Sequence, residues 1–311
     1  MSETLPSQPK TSAPGAWGLL KLRKIAGNYC FIFPALVLFV VFSLYPFFKI
    51  FQLSVTDWDG ISPAMQFVGV ENFKDLLTDN PIFWASMKNA LVVTVLALLV
   101  QNFLALFLAL LCDRDIKGGN IYRVIFYLPP VLSGIVVGLI WNWIYDGNYG
   151  LLNHFMKFIG LGDLSRPWLS DPHTALIAVS IIHMWKGFGW GFVILLAGLQ
   201  SIPRELYEAA RVDGANTWIM FRNITVPLMI PVFILVSILT ILGTMQIFDI
   251  IVATTGGGPG YHTEVPITRI VQTMIGSSKF GYACAMGVVF GLILLAISMI
   301  QIRVSKMMRQ A

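Results

Sequence analysis

The sequence predicts an all-α, polytopic membrane protein with six transmembrane helices and both termini on the cytoplasmic side, and three observations predict it. Of 311 residues, 56% are hydrophobic and only 12% are charged, whereas a soluble domain carries roughly 25% charged residues. Six apolar runs, at about 29–51, 89–111, 124–145, 174–199, 228–253 and 282–302, reach the roughly 20 residues that a helix needs to cross the hydrocarbon core. Lys and Arg are divided unevenly among the connections. Thirteen fall on one side: Lys10, Lys21, Arg23 and Lys24 in the N-terminal tail, Arg114, Lys117 and Arg123 in the second connection, Arg204, Arg211 and Arg222 in the fourth, and Arg303, Lys306 and Arg309 in the C-terminal tail. Fewer, among them Lys74, Lys157, Arg166, Arg269 and Lys279, fall on the other, so the positive-inside bias puts both tails in the cytoplasm. An even number of spans agrees.

Residues 1–28 read as a polar cytoplasmic tail, 29–302 as the transmembrane domain and 303–311 as a second tail. The first run holds Pro34 and Pro46 and reads as an uncleaved signal anchor, since no short apolar core with a small-residue cleavage site precedes it. In the third run Gly134 and Gly138, and in the sixth Gly287 and Gly291, have the small-xxx-small spacing of close helix packing. The fourth run is interrupted by His183 and Lys186. An ionisable group near mid-span costs roughly 2.5 to 3.5 kcal/mol on insertion scales, and such groups usually face a cavity. His183, Lys186 and Trp190 stand at i, i+3 and i+7, on one side of a helix. In the fifth run Thr240, Gly243, Thr244 and Ile247 make a comparable stripe, with Gln246 and Asp249 nearer the outside. Packing between helices is the competing reading of both stripes. Asp249 is not expected to neutralise Lys186, because antiparallel helices place it well outside Lys186 in depth.

Catalytic chemistry is not legible anywhere. The four histidines, His154, His173, His183 and His262, lack H-E-x-x-H or a carboxylate at ligand spacing, so no metal site is expected. Cys30, Cys112 and Cys284 sit near span ends without paired or metal spacing and read as packing residues. "TTGGGPGYHT", Thr254 to Thr263, is Gly-rich but lacks the Lys-Ser/Thr pair that holds phosphates and Mg²⁺ at a helix mouth, and reads as a flexible turn. The net charge of +5 is mostly explained by the flanks of the spans, and no nucleic-acid partner is expected. The partner that is expected from composition is the lipid bilayer.

Between the fourth and fifth runs lies a polar stretch, "ELYEAARVDGANTWIMFRNITVPLMIP", Glu205 to Pro231. Ser201 can cap a helix start and Pro203 fits a first turn. "RELYEAARVD" then makes about two and a half helical turns, and Gly214 stops them by its ease in the left-handed region. "ANTWIMFRNIT" offers a second short helix with Trp218, Phe221 and Ile224 on one side, and Pro227 and Pro231 open the next span. The predicted unit, 201–227, is a helix-turn-helix bracket on the cytoplasmic surface, fastened at both ends to membrane helices. An amphipathic interfacial loop is the plainer reading.

The spacing of Glu208, Ala209, Ala210, Gly214, Ile224, Val226 and Pro227, with Asp213 and Ala215 in a D-G-A form, resembles the "EAA" loop of membrane subunits of binding-protein-dependent carbohydrate ABC importers. Val226 stands where Leu is usual. "KNALVVTVLALLVQNFLALFLALL" (Lys88 to Leu111), "RVIFYLPPVLSGIVVGLIWNWIYDGNYGLLN" (Arg123 to Asn153) and "TTGGGPGYHTE" (Thr254 to Glu264) are similar to further segments of the same family, in the same order.

The resemblance implies a type I ABC importer permease fold in the cytoplasmic membrane of a prokaryote. It also implies a transport subunit with neither catalytic residues nor a cofactor. The partners it implies are a second homologous permease, more often related than identical, two cytoplasmic ATPases that hydrolyse ATP, and an extracytoplasmic solute-binding protein. Residues Glu208, Ala209, Ala210, Asp213, Gly214 and Ala215 would dock the ATPase, with Glu208 offering a carboxylate and Gly214 setting the bend. Counting from that loop, the solute path would take His183, Gly187, Trp190, Thr240, Gly243, Thr244 and Ile247, joined by Lys186. An aromatic face stacks on a sugar ring and polar groups satisfy its hydroxyls, which suits a carbohydrate. Two alternatives stay open at this point. A polyol phosphate or acidic sugar would use Lys186 as a counter-charge. A stand-alone secondary transporter would need internal repeats and ion-coupling groups of its own, and no repeat is visible.

Overall fold

A computed structural model describes residues 32–113 and 118–310, without side-chain detail for 308–310. Lys10, Lys21, Arg23, Lys24, Cys30, Arg114, Lys117 and the side chain of Arg309 lie outside it. Among the described residues the chain is helical and contains no strand; a single antiparallel bridge joins Thr56 and Phe67.

Two units are distinguished, 1–52 and 53–311. In the first, the described residues belong to the span α1 (Ile32–Ser54), widened by a π-turn at Val40–Leu44. The second unit opens with α2 (Glu71–Thr78) and then α3 (Pro81–Cys112), a 32-residue span that starts eight residues before the apolar run. Its start is fixed by Asn80, whose side chain accepts from the Phe83 amide at 2.9 Å, and by Pro81, whose missing N–H costs nothing in the first turn.

The third run is not one straight helix. It consists of α4 (Gly119–Val131) and α5 (Gly134–Ile144), bent by 97° at Leu132 and Ser133, both of which are extended. Pro129 and Pro130 remove two intrahelical donors just before the break. Hydropathy averaged across 124–145 conceals this, because a single Ser133 among apolar neighbours barely lowers it. A short amphipathic helix, α6 (Leu151–Phe158), leads to α7 (Ala175–Gln200), the most buried span. A Cβ at Gly189 of α7 would meet the Phe126 carbonyl and the Pro130 ring, so glycine here lets α4 lie close.

After α8 (Arg204–Val212) the expected second short helix does not stand alone. Thr217 begins a continuous helix, α9 (Thr217–Met245), that carries a π-turn at Phe221–Thr225 and contains Pro227 and Pro231 within its length. The fifth apolar run, expected to continue to 253, breaks at Gln246–Phe248 and restarts as α10 (Asp249–Thr254). The chain then passes through α11 (Pro266–Val271), lengthened by a π-turn at Gln272–Gly276, into α12 (Phe280–Gln310). Beside Gly287 and Gly291 of α12 there is open space within 4 Å, so their spacing serves no close packing among the described residues. Gly134 and Gly138 do serve it: a Cβ there would strike Asp249 and Ala253 of α10.

The core divides into two apolar clusters stacked along α3, α7 and α9. One holds Phe83, Ala90, Val179, Ile182, Met245 and Ile250; the other holds Ala105, Ala109, Phe192, Leu195, Met229 and Val236. Between them on the same helices lie Thr94, Gln101 and Asn102, then His183 and Lys186, then Thr240 and Thr244. This polar layer halfway along three spans positions the candidate site.

Candidate functional site

The polar layer borders a cavity of about 580 Å³ between α7, α9, α10 and the middle of α3. Its walls bring together His183, Lys186, Gly187 and Trp190 from α7 with Thr240, Gly243 and Ile247 from α9 and its exit. Trp190 is 55% exposed and meets Tyr127 edge to face at 5.4 Å, leaving a broad aromatic surface free. Lys186 is half-buried on the same side.

Thr244 is not brought to the cavity. It is fully buried behind it, with its hydroxyl 2.8 Å from that of Thr94 on α3. Thr240 does reach the wall, but its hydroxyl is engaged by Asn102 Oδ1 at 2.9 Å and the Val236 carbonyl at 2.9 Å. These two threonines therefore tie α9 to α3, as the packing reading of the stripe anticipates.

Asp249 and Gln246 line the same cavity as Lys186. The interruption at Gln246–Phe248 makes Asp249 the first residue of α10 rather than a continuation of α9, and its carboxylate meets Gly134 of α5. Lys186 and Asp249 share the cavity without closing into an ion pair, and both lie within electrostatic reach of His183. Gln101 is a further wall residue that reasoning from the sequence passed over. The available signal was a Gln-Asn pair, Gln101–Asn102, in the centre of an otherwise apolar run.

At one end of α7 and α9 stands the bracket. Its helix α8 buries no residue, and Glu208, Ala209, Asp213 and Gly214 are exposed while Ala210 and Ala215 are half-buried. Gly214 has φ +79°. The Ala215 amide donates to the Ala210 carbonyl at 2.9 Å and the Gly214 amide to Arg211 at 3.1 Å, the paired bonds of a Schellman stop. Asn216 then caps α9 by accepting from the Ile219 amide at 2.9 Å. Ser201 caps nothing ahead of it: its hydroxyl donates back to the Gly198 carbonyl at 2.7 Å, ending α7. One bond crosses the bracket, Tyr207 Oη to Thr225 Oγ1 at 2.8 Å. Beneath it lies a groove of about 1010 Å³ lined by Glu208, Arg123, Arg204, Arg211, Trp218 and Phe221, among others.

The Gly-rich segment after α10 is not the flexible turn expected. Thr263, fully buried, donates to the Gly258 carbonyl at 2.6 Å, its oxygen lies 2.6 Å from Thr255 Oγ1, and its amide donates to Gly257 at 3.2 Å. Asn89 of α3 donates to the Glu264 carbonyl at 2.9 Å. The glycines supply φ of +60°, +96° and +53° at 256, 257 and 260, which lets the segment fold on itself.

Comparison with known proteins agrees with this architecture. The probable ABC transporter permease protein YurN of Bacillus subtilis is 35% identical over 280 residues, covering 89% of this chain and 95% of that protein. The trehalose/maltose transport system permease protein MalF of Thermococcus litoralis is 31% identical over 290 residues, covering 93% and 97%. A crystal structure of a bacterial ABC transporter involved in import of the acidic polysaccharide alginate contains a chain of the same fold, with a TM-score of 0.81 at 23% identity over 93% of this chain and 98% of that one. The family described as binding-protein-dependent transport system inner membrane component matches residues 101–310, from the Gln101 wall of the cavity to the end of α12. On that match and those identities, this chain belongs to the inner membrane component family of binding-protein-dependent transport systems.

Proposed function

We propose that this chain is the permease subunit of an ATP-driven importer for a neutral sugar or oligosaccharide, with its tails and the α8 bracket on the cytoplasmic side of a prokaryotic cell membrane. The observation that carries the reading is that two of the helices walling the cavity, α7 and α9, are the two that hold the bracket. α7 ends at α8, and α9 begins from it. Lys186 lies 14 residues before Gln200, so a push on α8 acts on the cavity wall over about 21 Å of rigid helix.

ATP hydrolysis belongs to separate subunits in this reading, because the chain offers no phosphate-cradling loop of its own. Glu208, Ala209, Ala210, Asp213, Gly214 and Ala215 form the surface that an ATPase grips; the small side chains permit close approach and the Gly214 stop fixes the angle of the helix. A second permease completes the path, and an extracytoplasmic binding protein delivers the solute. The mixture of an exposed indole, amide groups and two opposite charges at the cavity favours a neutral polyhydroxyl solute. Lys186 alone would attract an anion, but Asp249 on the same wall offsets it.

Uptake of radiolabelled trehalose and maltose, in the native host and in a strain deleted for this chain, tests the proposal. Loss of uptake on deletion, restored by the wild-type chain and abolished when ATP is depleted, is the expected result. A deletion strain that takes up both sugars as before would overturn it.

A further inference from the structure

Gln101 stands where α3 departs from α-helical geometry, closing the π-turn Ala97–Gln101 in mid-span. Such turns are found disproportionately at functional sites. Its side chain is 6% exposed and borders the cavity, yet its carbonyl oxygen has no hydrogen-bond partner. The next residue makes the contrast, since Asn102 Oδ1 accepts from Thr240 at 2.9 Å. A buried amide oxygen left unpaired halfway across a bilayer is costly, and persists where something else compensates.

The opposing helix is shaped to accept this side chain. A Cβ placed on Gly187 would lie 2.7 to 2.9 Å from the Oε1, Cδ and Nε2 atoms of Gln101. Gly187 therefore lets the amide lie flat against α7, among His183, Lys186 and Trp190.

We infer that Gln101 is a solute-binding residue of this cavity, contributing from α3 a hydrogen bond to a solute hydroxyl, with Gly187 as its positioning residue. The inference rests on the sugar-permease reading above. The π-turn ends at this residue, the glycine gives the amide room, and the unpaired oxygen, covered by α7 in this conformation, becomes the acceptor that a hydroxyl satisfies once the amide turns into the cavity. The amide accepts and donates at once, which matches a hydroxyl better than it matches a carboxylate or an ammonium group.

The test is uptake of radiolabelled trehalose and maltose, and of their monodeoxy analogues, in the deletion strain complemented with wild type, Gln101→Leu or Gly187→Ala, with membrane levels measured by immunoblot. For Gln101→Leu the half-saturating concentration is expected to rise about threefold to tenfold, the loss of one hydrogen bond. Preference for the parent sugar over one monodeoxy analogue should fall to near one, while preferences at the other positions persist. Gly187→Ala, which displaces the amide without removing it, should erode the same preference, and it decides the matter where Gln101→Leu does not reach the membrane. A general fall in uptake with every preference intact would show that Gln101 only packs, and would overturn the inference while leaving the permease reading in place. Failure of the wild type to carry either sugar would overturn that reading, and this inference with it.

Discussion

The carboxylate of Asp249 lies against Gly134, so that the first residue of α10 meets the first residue of α5. Two interrupted spans thus touch at their interruptions. The carboxylate also accepts from the Ile250 amide at 3.0 Å, and it lies at the N-terminal end of α5. A methyl group at 134 would occupy the carboxylate's own position. Gly134→Ala is therefore expected to destabilise the folded chain by about 1–3 kcal/mol, the usual cost of overpacking, and to impair uptake by displacing Asp249. Thermal unfolding in detergent checks the first effect and sugar uptake the second. An unchanged melting temperature would mean that the two breaks separate freely.

The stop at Gly214 invites a second test. A β-branched side chain at φ +79° is expected to cost about 1–2 kcal/mol locally, enough to re-aim the end of an exposed helix. Gly214→Val and Glu208→Lys should each abolish sugar uptake while leaving the amount of chain in the membrane unchanged. Normal uptake in both would return the bracket to a plain interfacial loop.

These two sites differ in how far the sequence disclosed them. The bracket was legible because its signals are local: a run of helix formers, a glycine stop and the spacing of Glu208, Ala209, Ala210 and Gly214 all lie within one segment. The second boundary of the bracket was not, since Pro227 and Pro231 look like helix openers and are in fact tolerated inside α9. The bends at Leu132–Ser133 and Gln246–Phe248 escaped hydropathy for a different reason. Hydropathy registers how apolar a segment is and is blind to whether its backbone continues, so both runs looked whole. The cavity residues on α7 could be read from their spacing on a single helix. Gln101 and Asp249 could not, because only the tertiary approach of α3 and the turn before α10 bring them to the same wall.

Glu264 offers a pH-dependent readout of the Gly-rich segment between α10 and α11. It is 1% exposed, and burial pushes its carboxyl above the ordinary 4.5, an effect that Arg269 at 3.9 Å partly opposes. A raised folded-state pKa means that the folded state holds the proton more tightly than the unfolded one. Its stabilising contribution is fully present below pH 4.5 and is lost as pH rises through the folded value. Thermal unfolding followed from pH 4 to pH 8 should show that decline, and Glu264→Gln should flatten it. A variant that keeps the wild-type slope would assign the dependence to another group.

The orientation rests on the Lys and Arg asymmetry and can be tested directly. A reporter that is active only outside the cytoplasm should work when fused near Asp163, between α6 and α7, and fail when fused near Asn216 in the bracket. The opposite pattern would invert the topology and remove the ATPase-docking role of α8.

Lys186 and Asp249 finally allow the electrostatics of the cavity to be tested as a pair. With Cys30, Cys112 and Cys284 replaced, Lys186→Cys is expected to react readily with a small water-soluble thiol reagent, and at a rate that changes when ATP is trapped. Thr244→Cys, buried behind the wall, should react at least about tenfold more slowly, since it is fully buried. Removing the lysine alone also leaves the Asp249 carboxylate without an opposite charge on the same partly dehydrated wall. Lys186→Met should therefore depress sugar uptake more than the double change Lys186→Met with Asp249→Asn, in which neither charge remains. Additive losses would show that the two groups act independently. A cysteine at 186 that stays unreactive in every nucleotide state would place the lysine against a partner helix, and the solute path would then have to run elsewhere.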